Sequence, residues 1–280
     1  MEEYRKQGYL ENDFRIFHLC DAKHLEVAYH YHDFAKIMLF IKGNVNYIIE
    51  GRSYELKPYD IVLVNAGQLH RPQLMDDAPY ERIIIYISSS FMKKYQTDDC
   101  DLSRCFKEAG KGHQNVLRIE NLEKSSLYAA CRNLERSFED QEFAKELYQR
   151  ILFLEFMILL NRAILNNHVN SIQNEISNRK IADVIDYISA HLAEELTVDK
   201  IAGNFYLSRS YLMHLFKAET GYSLGSYINE KRLLLSKSLI QNGKSVTEAC
   251  YECGFRDYST FSRAFKRKFH TTPKNAGDLL

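Results

Sequence analysis

An internal repeat in the last third of the chain is the feature that most constrains the fold. Residues 207–223 align with residues 256–272 at an offset of 49, and each copy begins with a residue that caps helices well, Ser208 or Asp257. In both copies the apolar residues recur at helical spacing, so each helix has one buried face and one polar face. The matching apolar pairs are Leu212 with Phe261, Leu215 with Ala264 and Phe216 with Phe265.

A shorter helix is predicted before each of these helices. Residues 197–202 match residues 245–250 at an offset of 48, with Thr197 and Ser245 as N-caps. The small residues at the ends of these segments, Ala202 and Cys250, suit a close crossing of two helices. A short helix, a tight turn and a second helix with a polar outer face form a helix-turn-helix, and it is predicted twice.

The segment 223–240 between the two units is predicted to be a single helix. Its 18 residues span about 27 Å at about 1.5 Å each. Successive major grooves on one face of a DNA duplex lie about 34 Å apart. This spacer therefore suits two recognition helices that enter neighbouring grooves.

The charge distribution agrees with an anionic partner. The whole chain carries 37 Lys and Arg against 37 Asp and Glu, but residues 178–280 carry 15 against 11 and residues 1–177 are correspondingly acidic. A basic C-terminal third favours a negatively charged partner, and the modest excess does not by itself identify nucleic acid.

The sequence of the repeat resembles that of the AraC/XylS family of transcription regulators. The most specific part of the resemblance includes Gly254-Phe255, Phe261-Ser262-Arg263 and Thr272-Pro273. The sequence departs from the family at His270, where glycine is usual, and at Ala276-Gly277, which stand in place of an aromatic-Arg pair. The DNA-contacting positions that follow from the repeat and the resemblance are Ser208, Arg209, Ser210, Met213, His214, Lys217, Tyr258, Ser259, Ser262, Arg263, Lys266 and Arg267.

Different roles are expected of these side chains. Arg263 is the best candidate for reading a base, because arginine pairs in bidentate fashion with guanine. Met213 suits contact with a thymine methyl group. Lys217, Lys266 and Arg267 suit phosphate contacts or plain solubility. A polar helical face can also be merely solvated, but two matched copies with this text favour DNA binding.

The N-terminal half is predicted to be a small β-domain. Short β-branched and aromatic runs at 37–41, 45–49, 61–64 and 83–87 are separated by glycine and proline. The region resembles the cupin-like domain common in the same family. We therefore expect an α+β multidomain protein, with an N-terminal cupin-like β-barrel plus helices and a C-terminal all-α double helix-turn-helix. The expected boundaries are residues 1–165 for sensing and dimerisation, 166–178 for a linker and 179–280 for DNA binding.

Residues from about 120 to 165 are predicted to be helical and to mediate dimerisation. A seam of alternating steps of four and three residues can face another helix, and the remaining faces are apolar too. Packing on the β-domain and a homodimer interface both explain the pattern, and we expect both. The seam residues are Leu147, Ile151, Leu154, Ile158, Asn161 and Leu165.

Three histidines are candidates for a sensing site. Strand alternation puts His30 and His32 on one face, and His70 comes from a later strand. Metal cupin enzymes add a glutamate where this chain has Lys36, whose positive charge repels a cation. We expect no catalytic metal and no cofactor, although three histidines can hold zinc. The predicted ligand-binding residues are His30, His32, Lys36, Tyr47, His70 and Tyr86, and histidines that serve only the core are the alternative.

Other features bear on function class and location. The start of the chain lacks the apolar core of a signal peptide, and 151–160 is too short to span a bilayer, so a cytoplasmic protein without membrane contact is expected. Cys250 and Cys253 are interpreted as buried structural residues. The prediction is a DNA-binding regulator, not an enzyme, and an activator by family habit. Its expected partners are double-stranded DNA, RNA polymerase and a small-molecule effector, with carbohydrate as the class that the family implies. The alternatives are a metal-dependent cupin enzyme with a DNA-binding tail and a regulator that senses nothing.

Overall fold

The computed structural model describes residues 10, 12–21, 27–166, 169–171, 175–176 and 178–276. The chain divides into two compact units, one of residues 1–49 and 53–175 and one of residues 50–52 and 176–280. Much of the predicted linker 166–178, together with Gly277, lies outside the described residues. Within the described part of the chain, no helix is both long and apolar enough to cross a membrane.

The first unit is built on two antiparallel sheets. The larger sheet has the strand order β1-β7-β2-β5-β8-β9 and the smaller one the order β10-β4-β3-β6. The strands are β1 (Phe14–Asp21), β2 (Ala35–Lys42), β3 (Val45–Ile49), β4 (Arg52–Glu55), β5 (Ile61–Val64), β6 (His70–Leu74), β7 (Tyr80–Ile87), β8 (Val116–Ile119), β9 (Val169–Ser171) and β10 (Glu175–Ile176).

The cupin-like β-rich fold is confirmed, but the closed barrel is wrong. The two sheets stay separate, each with its own edge strands. The reason is that the larger sheet buries both of its faces, so it needs no closure upon itself. On β2, Ile37 and Leu39 point into one core, whereas Met38 and Phe40 point into the other. This explains the unbroken apolar runs in the sequence, which are typical of strands covered on both sides.

The core that contains Met38 and Phe40 lies between the two sheets. The core that contains Ile37 and Leu39 lies between the larger sheet and a layer of helices. These helices are α1 (Ser89–Lys94), α2 (Arg104–Gly110), α3 (Ser126–Ser137) and α4 (Lys145–Leu165), with a 3-10 turn at Leu122–Lys124. Phe153 of α4 stacks on Phe14 of β1 at 4.2 Å between ring centroids. The predicted helical region is thus two helices, α3 and α4, that cover the larger sheet.

Helix α4 is buried on one side and bears an apolar stripe on the other. Phe153, Met157 and Leu160 are fully buried, whereas Leu147 and Ile151 are 60% and 54% exposed. Ile158 and Leu165 extend the exposed stripe. Asn161 does not belong to it, contrary to the prediction.

The side chain of Asn161 is instead buried and serves the loop before α2. It accepts a hydrogen bond from the backbone N–H of Cys105 at 2.8 Å and donates one to the carbonyl of Leu102 at 3.1 Å. A buried amide needs such partners, and these backbone groups lie on the core side of α4. The helical spacing alone does not distinguish this role from a place in the seam.

The second unit is all-helical. Its helices are α5 (Arg179–Ala190), α6 (Val198–Asn204), α7 (Arg209–Thr220), α8 (Leu224–Gln241), α9 (Val246–Glu252) and α10 (Tyr258–Phe269). The pairs α6–α7 and α9–α10 are the two predicted helix-turn-helix units, and α8 is the predicted 18-residue spacer. The predicted caps are present, since Thr197 and Ser245 cap the short helices and Ser245 forms a capping box with Glu248.

Gly254 allows a close approach between the second helix-turn-helix unit and the segment after α5. Its φ is +85°, and a Cβ atom there would overlap the carbonyl oxygen of Leu192 and lie 2.9 Å from Nη2 of Arg232. The same guanidinium donates from Nε to the carbonyl of Leu192 at 3.0 Å. Glycine is therefore required at this position on both conformational and steric grounds.

We expect Gly254→Ala to lower the free energy of unfolding of the helical unit by about 2–3 kcal/mol, because it adds left-handed strain and a backbone overlap. Gly225→Ala is the matched control, since its Cβ would meet no atom within 4 Å. That variant should keep or slightly raise stability, as alanine favours helix. Chemical denaturation measures both, and equal stabilities for the two variants would contradict this account.

His270 ends α10 in a conformation that favours glycine. Its φ is +57°, and its N–H donates to the carbonyl of Lys266 at 2.9 Å, whereas Gly221 ends α7 in the same way with φ +74°. We expect His270→Gly to raise the free energy of unfolding by about 1 kcal/mol. The reciprocal Gly221→His should lower it by a similar amount. A loss of stability in His270→Gly, measured by thermal and urea unfolding, would show that the imidazole contacts outweigh the strain.

Candidate nucleic-acid interface and histidine cluster

Side-chain caps fix where the two recognition helices begin. Ser208 accepts a hydrogen bond from the N–H of Tyr211 at 3.3 Å, and Asp257 accepts one from the N–H of Thr260 at 2.7 Å. A cap satisfies one of the backbone donors that have no partner within the helix. The caps therefore fix the position of the first turns of α7 and α10, which carry several of the predicted contact residues.

The apolar face of each recognition helix is buried in its own unit. Leu212 and Phe216 of α7 are fully buried, as are Phe261 and Phe265 of α10. The Phe261 ring packs against Phe265 at 5.6 Å between centroids. Because both inner faces are held by the core, the opposite faces of the two helices point outward.

The predicted contact residues lie on these outward faces. Eleven of the twelve are exposed, and Ser262 is half-buried. Arg209 forms an ion pair with Asp199 at 2.6 Å, and Nε of Arg263 donates to the carbonyl of Ser259 at 3.3 Å. The exposed positions are Ser208, Arg209, Ser210, Met213, His214, Lys217, Tyr258, Ser259, Arg263, Lys266 and Arg267.

The two recognition helices differ in charge. Helix α10 contains Arg263, Lys266, Arg267 and Lys268 and has no acidic residue in its sequence, whereas α7 contains Glu219 as well as its basic residues. Lys268 is paired with Glu230 at 2.8 Å, which leaves the other three cations of α10 on its exposed surface. The second helix-turn-helix unit, which contains α10, therefore presents a stronger positive surface than the first.

The two cysteines near α9 are buried, as predicted. Cys250 and Cys253 are both fully buried. Burial raises the pKa of Cys253 to about 12. A thiol with such a pKa is not a thiolate at neutral pH, so it is a poor nucleophile and a poor metal ligand.

Backbone pairing brings His30 and His70 together in the first unit. They form an isolated antiparallel bridge, in which the N–H of each donates to the carbonyl of the other at 3.1 and 2.9 Å. Opposite residues of a β-bridge have neighbouring side chains. His32 follows two residues after His30 and points to the same side, so the sequence-predicted triplet does converge.

The three imidazoles form a compact cluster. Their ring centroids lie 5.1 Å apart for His30 and His32, 4.4 Å for His30 and His70, and 5.3 Å for His32 and His70. One ring nitrogen of each lies within 4.8 Å of those of the other two. His32 and His70 are buried, whereas His30 is partly exposed. The side of the cluster formed by His30 is therefore nearer to solvent.

The other predicted ligand-binding residues adjoin the histidines. Nζ of Lys36 donates to Oη of Tyr47 at 2.9 Å, the Tyr47 ring stacks on His70 at 6.0 Å, and Tyr86 lies 5.5 Å from His32. Phe34, which stacks on His32 at 4.6 Å between ring centroids, was not predicted from the sequence. The alternation that pairs His30 with His32 extends to Phe34 and is the signal that identifies it.

His70 is neutral and has a defined tautomer. Burial, with the nearby positive charge of Lys36, lowers its pKa well below the usual value. Its Nδ1 lies 2.9 Å from the carbonyl of Gln68, and only a protonated Nδ1 can donate there. The remaining nitrogen, Nε2, is buried and meets no hydrogen-bond partner within the described part of the chain.

A cleft on the helical side of the larger sheet was not foreseen from the sequence. Its volume is about 530 Å³, within the range of small-molecule sites. It is bordered by β8, the 3-10 turn, the start of α3 and the end of α4, so no local motif marks it. Its polar lining residues are Glu120, Ser125, Ser126, Arg162 and Asn166.

Comparison with known proteins agrees with both halves of the chain. An AraC-like ligand binding domain matches residues 12–153, and a helix-turn-helix domain matches residues 201–276. The HTH-type transcriptional activator RhaS of Escherichia coli strain SMS-3-5 is 23% identical over 248 residues, which cover 88% of this chain and 86% of that protein. RhaS of Shigella sonnei strain Ss046 is 25% identical with the same coverage.

Among solved structures, ToxT from Vibrio cholerae covers 96% of this chain and 99% of its own, with 17% identity and a TM-score of 0.39. The match to the ligand-binding domain extends over half of the chain. It is followed by a match to the helix-turn-helix region, where the two exposed recognition helices lie. The chain belongs to the AraC family of DNA-binding transcription regulators, with a ligand-binding domain followed by a double helix-turn-helix.

Proposed function

We propose that this regulator is a cytoplasmic, homodimeric transcription activator that responds to a small molecule. The observation that carries the proposal is the pair of capped recognition helices, α7 and α10, with exposed polar faces on either side of the spacer α8. The two RhaS relatives are named as transcriptional activators, which supports activation, and with it contact with RNA polymerase. We infer that the chain itself catalyses no reaction.

The predicted contact residues divide into base readers and phosphate contacts. Arg263 lies in the middle of α10 with its guanidinium exposed, as bidentate recognition of guanine requires. Met213, which is 39% exposed, can contact a thymine methyl group, and His214 beside it can hydrogen-bond a base edge. Lys217, Lys266 and Arg267 would neutralise phosphates and make binding dependent on salt.

Removal of the Arg263 guanidinium tests this assignment. We expect Arg263→Ala to weaken operator binding by about 1–3 kcal/mol and to relax specificity at one base pair. Lys244→Ala is the matched control, because it removes one positive charge from an exposed site outside the recognition helices. Fluorescence polarisation on a selected operator measures both. An equal loss in the two variants would reduce the role of Arg263 to nonspecific charge.

Dimerisation is proposed through the exposed stripe of α4. Four apolar side chains at positions 147, 151, 158 and 165 are 39–60% exposed along one helix. Contiguous exposed apolar surface of this kind commonly marks an interface, and the spacing suits helix-to-helix packing. Two subunits would then present four recognition helices to paired DNA sites.

We expect the double substitution Ile151→Glu and Ile158→Glu to convert the dimer to a monomer, because carboxylates would be placed in the apolar contact. Met75→Glu is the matched control, since Met75 is 51% exposed and lies far from α4 in the sequence. Sedimentation velocity reports the mass of each variant. A wild-type protein that is monomeric at micromolar concentration, or a double variant that stays dimeric, would contradict the proposed interface.

The effector is proposed to bind the first unit at His30, His32, Lys36, Tyr47, His70 and Tyr86. Buried polar groups packed among aromatic rings are typical of ligand sites. The cleft of about 530 Å³ is a second candidate, favoured by its volume and by Arg162 at its rim. Carbohydrates are the first organic class to screen by thermal shift, since a ligand selective for the folded state raises the melting temperature. Substitution of His70 or of Arg162 then shows which site responds.

A further inference from the structure

We propose that His30, His32 and His70 together bind one divalent transition-metal ion of the zinc class as a reversible, non-catalytic ligand. The inference deepens the proposed sensing role of this cluster and rests on it. Imidazole nitrogen is a preferred ligand of zinc, copper and nickel ions. The sequence predicts no catalytic metal at this site, and reversible binding of an ion requires no catalysis.

The spacing of the three ligands fits one ion. Two nitrogens bound at about 2.0–2.1 Å to a tetrahedral zinc ion are about 3.3 Å apart. The ring nitrogens lie within 4.8 Å of one another, so each pair has to close by about 1.5 Å or less. Small side-chain rotations supply such a movement, and the paired backbone of His30 and His70 can stay in place.

The backbone also prepares two imidazoles as metal ligands. Nδ1 of His30 lies 2.9 Å from the carbonyl of Ala28, and Nδ1 of His70 lies 2.9 Å from the carbonyl of Gln68. A carbonyl accepts only from a protonated nitrogen, so in the neutral form of each ring the lone pair lies on Nε2. Anchoring of the second ring nitrogen by a carbonyl is the usual arrangement of metal-bound histidines in proteins.

The space between the rings suits an ion better than an organic ring. Small-molecule sites have volumes of about 300 Å³ or more. Here the imidazole centroids are 4.4–5.3 Å apart, and Phe34 and Tyr86 pack against His32 at 4.6 and 5.5 Å. A sugar ring could not enter between the three imidazoles without displacing them, so an organic effector would have to bind beside the cluster. A single ion needs only the nitrogens to move toward it.

Lys36 makes the proposed site weak and receptive to an anion. Its charge acts on His70, and its ammonium group is held by Oη of Tyr47. Three neutral imidazoles do not offset the charge of a divalent ion, and a neighbouring ammonium group opposes it further. The fourth coordination position would therefore favour an anionic oxygen ligand, such as hydroxide or the carboxylate of a metabolite. A weak site of this kind suits reversible sensing.

Zinc titration of the purified full chain tests the proposal. We expect about one equivalent of zinc per chain, a higher melting temperature with zinc, and the visible absorption of tetrahedral Co²⁺ when cobalt replaces it. His70→Asn and His32→Gln should each weaken zinc binding by about 100-fold or more. His191→Gln, at a partly exposed histidine outside both proposed sites, is the matched control and should bind zinc as the wild type does.

A substitution at Lys36 separates a metal site from a mere group of histidines. Lys36→Glu removes the opposing charge and adds a carboxylate, so it should tighten zinc binding by about tenfold or more. Lys36→Met should tighten it less, and it shows whether the pocket tolerates the loss of the ammonium group. Wild-type protein without stoichiometric zinc, or equal binding by wild type and His70→Asn, would overturn the proposal. So would a weaker Lys36→Glu site in a folded protein.

Operator binding with zinc and with a chelator distinguishes this proposal from the proposed function. If zinc binds at His70 but leaves operator affinity unchanged, the metal site stands and its sensing role is wrong. If zinc does not bind while Arg263→Ala still loses operator affinity, the metal site is wrong and the DNA-binding function stands.

Discussion

Helix α8 is the element on which the DNA-binding half depends, because both helix-turn-helix units pack against it. Tyr227 near its start packs edge-on against Phe216 of α7 at 5.3 Å, while Leu233 and Ile240 belong to the core that buries α10. An 18-residue helix is stiff over its length of about 27 Å. The distance between the two recognition helices is therefore set by one rigid helix. It does not depend on the conformation of a loop between the two helix-turn-helix units.

Helices α6 to α10 could be predicted closely from the sequence, because their signals are local. Helix starts depend on caps such as Ser208 and Asp257, and buried faces depend on spacing within one helix. The β-domain was predicted only in outline, since closure of a barrel depends on which distant edges pair. Strand β2 is buried on both faces, and its apolar sequence would be the same in a barrel wall and in a sheet between two layers. Its sequence therefore does not predict whether the sheet closes.

The histidine cluster lies between these cases. Alternation places His30 beside His32, but only the bridge to His70 completes the triplet, and a bridge between separate segments leaves no local trace in the sequence. In the sequence Lys36 argues against an enzyme metal, and in the structure its charge adds to burial in lowering the pKa of His70. The same structure shows two imidazoles oriented by carbonyls, which no residue pattern reveals. The cleft beside Arg162 is equally invisible, because its walls come from distant parts of the chain.

The central claim is that α8 holds two recognition helices in successive major grooves of one duplex. The most direct measurement is the affinity of the protein for a selected operator in which the distance between the two contacted sub-sites is varied one base pair at a time. A stiff spacer predicts one sharp optimum and a steep loss when about five base pairs, half a helical turn, are inserted. Affinity that is independent of this spacing would contradict the account.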